Sequence, residues 1–310
     1  MSHDREAVVL TVGEALTDVV LSPDGRRAEH VGGSPANVAV GLAALGHPSR
    51  LTAYLGDDER GRRIRAHVEG YGVQLTAGSL AAERTSTATA RLDAEGVATY
   101  DFDLTWRVDE QDLTGVEHLH TGSVAATLEP GGSAVVDLMA RARMEGASVS
   151  YDPNCRPTIM GRPEDTRQRV EECVGRSDVV KASLEDVEWL YPGAPVQDVA
   201  REWGRLSPLL VVVTRGAEGP LVHLSGTGET VELPAREVEV VDTVGAGDSF
   251  MAGLLSGLLD SGLLGGDEGR ERLRRAGVQD LDPVLQRAVA TASWTVGRAG
   301  AAAPTRVDLA

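Results

Sequence analysis

The stretch Val241–Phe250, which reads VDTVGAGDSF, places a glycine turn directly before an apolar run. Apolar pairs then recur at helical spacing, and this pattern predicts a helix over Asp248–Leu259. Free backbone N–H groups and the positive dipole end of a helix favour an anion, which the small residues Gly245–Gly247 would let approach the backbone closely. Asp248 therefore has two interpretations: a helix cap that complements the dipole, or a general base beside a phosphate.

The composition of the chain limits the classes of protein to which it can belong. The 310 residues are 42% hydrophobic but only 4% aromatic, which suits α/β layers better than an all-β sandwich. The formal net charge of −17 argues against nucleic acid or an anionic membrane as a partner. Because the sequence has neither a bilayer-spanning apolar run nor a signal-peptide pattern, we expect a cytoplasmic protein.

Strand-like and helix-like segments alternate along the chain. Ala7–Gly13 is a short apolar run typical of a buried strand, and Ser34 before Pro35 predicts a helix with Ser34 as its N-cap. The rhythm along the rest of the chain predicts a single α/β domain over residues 1–310, with a mostly parallel central sheet flanked by helices on both faces. Further strands are expected at Leu51–Leu55, His118–Thr121, Ser148–Asp152, Val179–Lys181 and Leu209–Thr214, and further helices at Gly61–Tyr71, Ser133–Glu145, Pro163–Val174, Val196–Leu206 and Asp282–Val296.

Two segments interrupt this rhythm and predict inserted hairpins. Leu16–His30 has a turn at Ser22–Gly25, and Thr85–Asp103 has a turn at Asp93–Gly96. We expect these hairpins, at about 15–31 and 85–104, to form a small lid over the carboxyl ends of the main strands, where ligands bind in open α/β folds. Pairing of the hairpins edge to edge between two chains would give a homodimer.

VDTVGAGDSF resembles the C-terminal signature of the ribokinase-like (PfkB) carbohydrate kinases. Four other motifs of the chain also resemble motifs of this family. The resemblance covers nearly the whole chain and leans toward the fructokinase-like branch. It implies a ribokinase-like fold and transfer of the γ-phosphate of ATP to a primary hydroxyl of a sugar. The other matching motifs, in family order, are GEALTD at Gly13–Asp18, VGGSPANVA at Val31–Ala39, DPNCR at Asp152–Arg156 and TRGAEG at Thr214–Gly219.

The resemblance also implies roles for single residues around the transferred phosphate and the sugar. Asp248 is similar to the catalytic base of the family, and the amides of Gly245, Ala246 and Gly247 resemble its anion hole. Arg156 is a candidate for charge-assisted hydrogen bonds to substrate or phosphate, although a surface ion pair would explain it as well. The positions that match the sugar-binding residues of the family are Asp18, Gly32, Gly33 and Asn37.

For ATP and metal ions the matches are less complete. The family often carries Asn-x-x-Glu, linked to Mg²⁺ and its waters, where this chain has Ser183 in the Asn place and Asp186 in the Glu place. Glu185 could serve instead, and a helix N-cap at Ser183 would explain the same residues. The positions implied for ATP are Thr214, Gly216, Gly219 and Ser183, and those implied for a monovalent cation such as K⁺ are Asp242 and Val244 with the segment Thr295–Gly300.

Two questions about function stay open: the acceptor, and whether the protein is a catalyst. Fructose is the first expected acceptor, with 2-keto-3-deoxygluconate, ribose and a nucleoside as alternatives, because lid side chains set specificity. A sugar-binding regulator without catalysis is the alternative from another class, and the departure at Ser183 and Asp186 is the feature in its favour. A dinucleotide-binding oxidoreductase is disfavoured, because no GxGxxG follows the first strand.

Overall fold

The computed structural model describes residues 7–93, 98–236 and 238–309. Its strands are β1 (Val8–Val12), β2 (Leu16–Leu21), β3 (Arg27–Gly32), β4 (Ser49–Thr52), β5 (Gln74–Leu75), β6 (Thr87–Leu92), β7 (Ala98–Asp103), β8 (Val116–Gly122), β9 (Ser148–Asp152), β10 (Val179–Ser183), β11 (Leu210–Thr214), β12 (Leu221–Leu224) and β13 (Thr230–Glu232). Its α-helices are α1 (Ser34–Ala44), α2 (Glu59–Gly70), α3 (Gly131–Met144), α4 (Pro157–Met160), α5 (Pro163–Val174), α6 (Leu184–Leu190), α7 (Val196–Leu206), α8 (Ala246–Asp260), α9 (Gly266–Arg275) and α10 (Val278–Val296).

The larger sheet has nine strands in the order β13-β12-β11-β10-β9-β8-β1-β4-β5. Neighbours from β11 through β5 run parallel, and β12 and β13 add an antiparallel edge. The predicted mostly parallel central sheet is therefore confirmed. Because all parallel strands point the same way, the loops that follow them gather at one edge of the sheet.

Helices cover both faces of this sheet, as the sequence predicts. Successive residues of β10 and β11 belong to different cores, because side chains alternate across a strand. Val180 and Val211 pack with α3, α5, α6 and α7. Val179 and Val212 pack with α1, α8 and α10 on the other face.

Glycines bring α8 unusually close to its neighbours. A methyl group on Gly253 would lie 2.9 Å from the Cα atom of Ala288 in α10, and one on Gly257 would lie 2.9 Å from the Cα atom of Val284. On the α1 side, a methyl group on Gly41 would lie 2.6 Å from the Cβ atom of Ala252. This close packing holds the N-terminus of α8 at a defined place beside the sheet.

The predicted hairpins form a second, four-stranded sheet in the order β3-β2-β6-β7, which we call the hairpin sheet. Each hairpin is antiparallel, and the parallel pair β2–β6 joins the two. The two hairpins thus associate into one sheet, and its role as a lid stays a prediction. Residues 94–96 of the second turn lie outside the described residues.

Two sets of contacts fasten the hairpin sheet to α2. Glu29 of β3 accepts hydrogen bonds from Arg60 at 2.8 Å and from Arg63 at 3.3 Å. Asp58, the N-cap of α2, accepts from the backbone N–H of Gly61 at 2.8 Å. The same carboxylate accepts from the N–H of Thr85 at 2.7 Å and from its hydroxyl at 2.8 Å. One fastening is ionic, and the other is a helix cap that also holds the start of the second hairpin.

Element bounds agree closely with the expectations at some positions and differ at others. β9, α5 and α7 have the predicted bounds, whereas the strand expected at Leu51–Leu55 is β4, Ser49–Thr52. The prediction of Ser34 as an N-cap is wrong: Gly33 is the N-cap, at φ 109°, and Ser34 is the first residue of α1.

In the described part of the chain, no helix combines the length and apolarity needed to cross a membrane.

Candidate active site

The first turn of α8 begins from a glycine that tolerates no side chain. Gly245 is the N-cap and has φ 75°, in the left-handed region that favours glycine. A methyl group there would also lie 2.5 Å from the Cβ atom of Ala301. The N–H of Ala246 donates to the carbonyl of Thr243 at 3.2 Å, which closes the turn. The turn thus presents the positive end of a 15-residue helix, the arrangement that the sequence predicts for an anion.

Asp248 lies in this first turn with its carboxylate directed toward α1. Its Oδ1 accepts a hydrogen bond from the hydroxyl of Ser34 at 2.6 Å, and its Oδ2 accepts from the amide of Asn37 at 2.8 Å. Asp248 is 8% exposed, and its side chain does not cap α8. The carboxylate is therefore held by α1 and is not a cap of α8, and its role as a general base stays a prediction.

Ser34 is a site residue that the sequence did not predict in that role. Its position before Pro35 matches the local signature of an N-cap, and that signature carries no information about a partner 214 residues away. Asn37 was predicted beside the sugar, and the structure places it on α1 one turn after Ser34. The two residues therefore hold both oxygens of Asp248 from a single helix.

Asp18 and Gly32 lie side by side at the end of the first hairpin. A methyl group on Gly32 would lie 1.9 Å from Oδ2 of Asp18, so only glycine leaves room for this carboxylate. Burial raises the pKa of Asp18, while the charges of Arg156 and His30 lower it and that of Asp248 raises it further. Asp18, Arg156 and Asp248 are thus close enough to influence one another.

Gly33 allows the chain to pass close to the end of β1. At φ 109°, a methyl group on Gly33 would lie 2.3 Å from the carbonyl oxygen of Glu14. The glycine pair 32–33 therefore has a packing requirement on each side. Each glycine leaves space for a carboxylate-bearing residue of the GEALTD motif: Gly32 for Asp18, and Gly33 for Glu14.

Arg156 organises the loop after β9. Its guanidinium donates to the side chain of Asn154 at 2.7 Å and to the carbonyls of Asn154 and Cys155 at 3.0 Å. Asn154 has φ 37°, a conformation that asparagine tolerates better than most residues. Within the described residues no carboxylate forms a salt bridge with Arg156. Its exposed guanidinium therefore keeps free N–H donors, and its positive charge acts on Glu14 and Asp18 by lowering their pKa values.

Glu14 is a second buried carboxyl, which the sequence marks only as part of a motif. Its Oε2 has no hydrogen-bond partner among the described residues, and the side chain is 8% exposed. Burial raises the pKa of Glu14 to about 7, although a hydrogen bond from Ser123 and the charge of Arg156 act in the opposite direction. Periodicity cannot reveal such a group, because its effect depends on contacts from distant loops.

Ser183 and Asp186 form the helix cap that the sequence offered as an alternative to a metal site. The Ser183 hydroxyl accepts from the N–H of Asp186 at 3.1 Å and donates to its Oδ2 at 2.8 Å. The N–H of Ser183 also donates to Oδ2 at 2.8 Å, which completes a capping box. Oδ1 of Asp186 accepts from the N–H of Cys155 at 2.6 Å, so this carboxylate also fixes the loop of Arg156. Glu185 is exposed.

The turn after β11 shows two different uses of glycine. Thr214 pairs in register with Ser183, so the two predicted ATP residues lie side by side at the sheet edge. A methyl group on Gly216, at φ 52°, would meet nothing within 4 Å, whereas one on Gly219, at φ 79°, would lie 2.0 Å from the carbonyl oxygen of Leu233. Gly216 therefore borders open space, and Gly219 permits close contact with the segment after β13.

The segments predicted to form a cation site do lie together. Oδ2 of Asp242 accepts from the N–H of Gly300 at 2.8 Å, and its Oδ1 accepts from the N–H of Val244 at 3.0 Å. These backbone donors lower the pKa of Asp242, the N–H of Val244 having the larger effect. The N–H of Asp242 donates to the carbonyl of Val296 at 3.1 Å. Across the residues described, no group of three or more His, Cys, Asp or Glu could hold a metal ion.

The chain is similar to known carbohydrate kinases over most of its length. The model of the pfkB family carbohydrate kinases matches residues 7–307. A fructokinase of Klebsiella pneumoniae is 35% identical over 264 residues, which cover 82% of this chain and 85% of that protein.

Solved structures agree with this match. A fructokinase from Xylella fastidiosa with bound ATP superposes with a TM-score of 0.84 at 26% identity, covering 98% of this chain and 97% of that one. A fructokinase double mutant from Vibrio cholerae O395, in a form with fructose, ADP and potassium bound, has a TM-score of 0.78 at 26% identity and covers 99% and 98% of the two chains.

Proposed function

The chain belongs to the pfkB family of carbohydrate kinases, and we propose that it is a fructokinase that transfers the γ-phosphate of ATP to a primary hydroxyl of fructose. The observation that carries the proposal is the buried carboxylate of Asp248, held on both oxygens by α1 at the anion-binding end of α8. Fructose is the preferred acceptor because the similar proteins include several fructokinases.

In this proposal Asp248 acts as the general base. It takes the proton of the sugar hydroxyl while that oxygen attacks the γ-phosphorus of ATP. A bond forms between the sugar oxygen and phosphorus, the bond to the bridging oxygen breaks, and its electron pair leaves with ADP. Ser34 and Asn37 donate hydrogen bonds to the carboxylate and so fix its direction relative to the hydroxyl.

The first turn of α8 would stabilise the charge on the transferred phosphoryl group. The backbone at Gly245, Ala246 and Gly247 is free of bulky side chains and lies at the positive end of the helix dipole. Asp18, Gly32, Gly33 and Asn37 would bind sugar hydroxyls, and Arg156 would donate to the sugar or to phosphate. The hairpin sheet would act as a lid within a single kinase domain and exclude water, which competes as an acceptor.

ATP would enter as its magnesium complex at the edge formed by Thr214, Gly216, Gly219 and Ser183. A groove of about 890 Å³ lies between the segment after β13 and α10, and Leu233, Arg236 and Val289 are among its lining residues. Gly219 of the ATP turn packs against Leu233, one of the residues that line this groove, and on this contact we propose that the groove accepts the adenosine part. Asp186, with Glu185 next to it, would face water molecules of the magnesium ion, which is typically held mainly by phosphates and water.

We further propose that Asp242 and Val244 help to bind a monovalent cation such as K⁺. The donor set fits in chemistry, because an ionised carboxylate and neighbouring backbone carbonyls are oxygen ligands. The ion would brace the turn that precedes Gly245. We expect the rate in KCl to exceed that in choline chloride, and Asp242→Ala should remove this difference. Equal rates of the wild type in both salts would contradict the proposal.

We also propose a location and an oligomeric state for the protein. Because the reaction consumes ATP, we propose that it takes place in the cytoplasm. The hairpin sheet ends in an edge strand, β7, that carries an exposed aromatic side chain, and we propose that two copies of the chain associate there as a homodimer.

The test is release of ADP in the presence of ATP, magnesium and single acceptors. Fructose, 2-keto-3-deoxygluconate, ribose and nucleosides are compared, with Asp248→Asn and the exposed Asp198→Asn of α7 as matched variants. We expect fructose to give the highest kcat/KM, the Asp248 variant to lose at least about 100-fold in kcat, and the Asp198 variant to match the wild type. Binding of a sugar by the wild type without any ADP release would instead support a sugar-binding regulator.

A further inference from the structure

Lys181 of β10 is the only lysine in a chain that carries 30 lysines and arginines. The others of these 30 residues are all arginine, so a lysine here is an exception to the composition of this protein. The two residues differ physically: the ammonium is a compact point charge, and the guanidinium is a planar fork with five donors. The exception therefore directs attention to what surrounds this ammonium.

The ammonium of Lys181 lies at the N-terminus of α8. Its Nζ is 3.0 Å from where a methyl group on Gly247 would be, and Lys181 is 3% exposed. A positive charge at the positive end of a helix is electrostatically unfavourable, and burial adds to that penalty. Gly247, which has no side chain, leaves room for the ammonium beside the first turn of α8. The cation thus adds to the anion-binding potential at this end of α8.

Asp152 compensates part of this charge. Nζ donates to Oδ2 of Asp152 at 2.7 Å, and Asp152 is fully buried. Burial works against the charged ammonium, but the charges of Asp152, Asp186 and Asp248 together raise the pKa of Lys181, so it remains protonated. An ammonium has three N–H donors, and among the described residues Asp152 is the one acceptor of a hydrogen bond from it. Two donors therefore remain for a ligand.

We propose that Lys181 is a catalytic residue that binds an oxygen of the transferred γ-phosphoryl group, and that Asp152 is the positioning residue that holds it there. The inference rests on the proposed function, in which that phosphoryl group reaches the first turn of α8. As the sugar oxygen bonds to phosphorus and the bond to ADP breaks, negative charge on the phosphoryl oxygens lies between the helix end and the ammonium. Lys181 keeps its proton throughout, because the proton of the sugar goes to Asp248.

A purely structural role for Lys181 would be to neutralise Asp152, and paired variants separate the two roles. Lys181→Met leaves Asp152 buried without a partner, whereas Lys181→Met combined with Asp152→Asn removes both charges. If Lys181 binds phosphate, both variants lose at least about 100-fold in kcat. Recovery of kcat in the double variant to within about threefold of the wild type would overturn the proposal. Thermal unfolding of each variant without ligand reports separately on the fold.

Nucleotide affinity gives a readout that does not depend on turnover. Calorimetric titration with ADP and with the β,γ-imido analogue of ATP measures the contribution of the third phosphate. We expect the double variant to bind the analogue about tenfold more weakly than the wild type, with less than about a twofold change for ADP. Equal losses for both nucleotides, or none, would overturn the proposal. If the wild type binds the analogue but phosphorylates no sugar, the proposed function fails while this comparison still decides the role of Lys181.

Discussion

Asn37 donates its side-chain amide to Oδ2 of Asp248 across 2.8 Å and so joins two helices whose contacting residues are 211 positions apart in the chain. Ser34 binds the other oxygen of the same carboxylate at 2.6 Å. Because hydrogen bonds to a charged group are stronger than those between neutral groups, this pair fixes both the place and the rotation of the carboxylate.

Removing either donor should lower catalysis more than stability. We expect Ser34→Ala and Asn37→Ala each to reduce kcat about tenfold, since a hydrogen bond to a charged group contributes about 1.5–3 kcal/mol. Steady-state kinetics with saturating ATP measures this effect. Ser249→Ala is the control, because that hydroxyl also belongs to the first turns of α8 but contacts Thr295 at 2.6 Å instead. A similar kcat loss in the control would show that the effect is one of packing.

Gly32→Ala should weaken the binding of the sugar and leave that of the nucleotide nearly unchanged. The new methyl group would lie 1.9 Å from Oδ2 of Asp18 and must displace that carboxylate. We expect KM for the sugar to rise at least about tenfold while KM for ATP changes less than about twofold. Gly25→Ala in the turn of the same hairpin meets nothing within 4 Å and serves as the control. An equal rise of both KM values in the Gly32 variant would contradict the assignment of Asp18 to the sugar.

Two glycines with positive φ should differ in their tolerance of alanine. Gly216→Ala meets open space, so it should lower the free energy of unfolding by only about 1–2 kcal/mol through backbone strain. Gly245→Ala adds a contact of 2.5 Å with Ala301 and should cost about 2–4 kcal/mol. Urea unfolding of both variants measures the difference. Equal destabilisation would mean that the segment of Ala301 yields without cost.

Glu14 should make stability depend on pH in a defined direction. Its pKa is raised from 4.5 to about 7 by burial, so the folded state holds this proton more tightly than the unfolded chain. The contribution of Glu14 to stability is therefore complete below about pH 4.5 and is lost as the pH rises through about 7.

The variant Glu14→Gln stays neutral and avoids this loss. Relative to the wild type, it should gain up to about 3 kcal/mol in the free energy of unfolding between pH 4.5 and pH 8, because each tenfold difference in proton affinity between the folded and unfolded states contributes about 1.4 kcal/mol. Urea unfolding at several pH values measures the gain, and Glu185→Gln on the exposed face of α6 is the control. A gain that falls with rising pH would contradict the assignment.

The homodimer should depend on the exposed edge of the hairpin sheet. Tyr100 on β7 is 58% exposed and stacks on Phe102 with ring centroids 5.9 Å apart. We expect Tyr100→Asp to shift the mass measured by light scattering from dimer to monomer, because a charge at the interface core is unfavourable. Val307→Asp, at an 85% exposed position, should leave the mass unchanged. A monomeric wild type would contradict the proposed association.

Local patterns in the sequence predict many helices and strands, because apolar periodicity and helix-start residues act within a few positions of one another. β9 and α5 have the predicted bounds, since apolar runs and Pro163 mark them without reference to the rest of the chain. β13 was not predicted, because three residues, Thr230–Glu232, are too few to show a period. The order of the motifs predicted Asp248 and Asn37 as site residues. It did not predict the contact of Ser34 with Asp248, because the two residues are 214 positions apart.

Lys181 shows the limit of such reasoning in another way. The sequence marks it as unusual through composition alone, because it is the only lysine of the chain. Its partner Asp152 is the first residue of the DPNCR motif, in which Arg156 was the predicted site residue. Only the register of β9 beside β10 brings the two side chains to 2.7 Å.

The two fastenings between the hairpin sheet and α2 respond differently to ionic strength. The pairs of Glu29 with Arg60 and Arg63 are partly exposed, so electrolyte weakens them within the roughly 10 Å screening length of 0.1 M salt. The short hydrogen bonds between Asp58 and Thr85 are far less sensitive. Concentrated salt would therefore weaken the attachment of β3 to α2, whereas β2, which carries Asp18, keeps its pairing with β6 of the second hairpin, so the edge of the hairpin sheet at β3 is its electrolyte-dependent part.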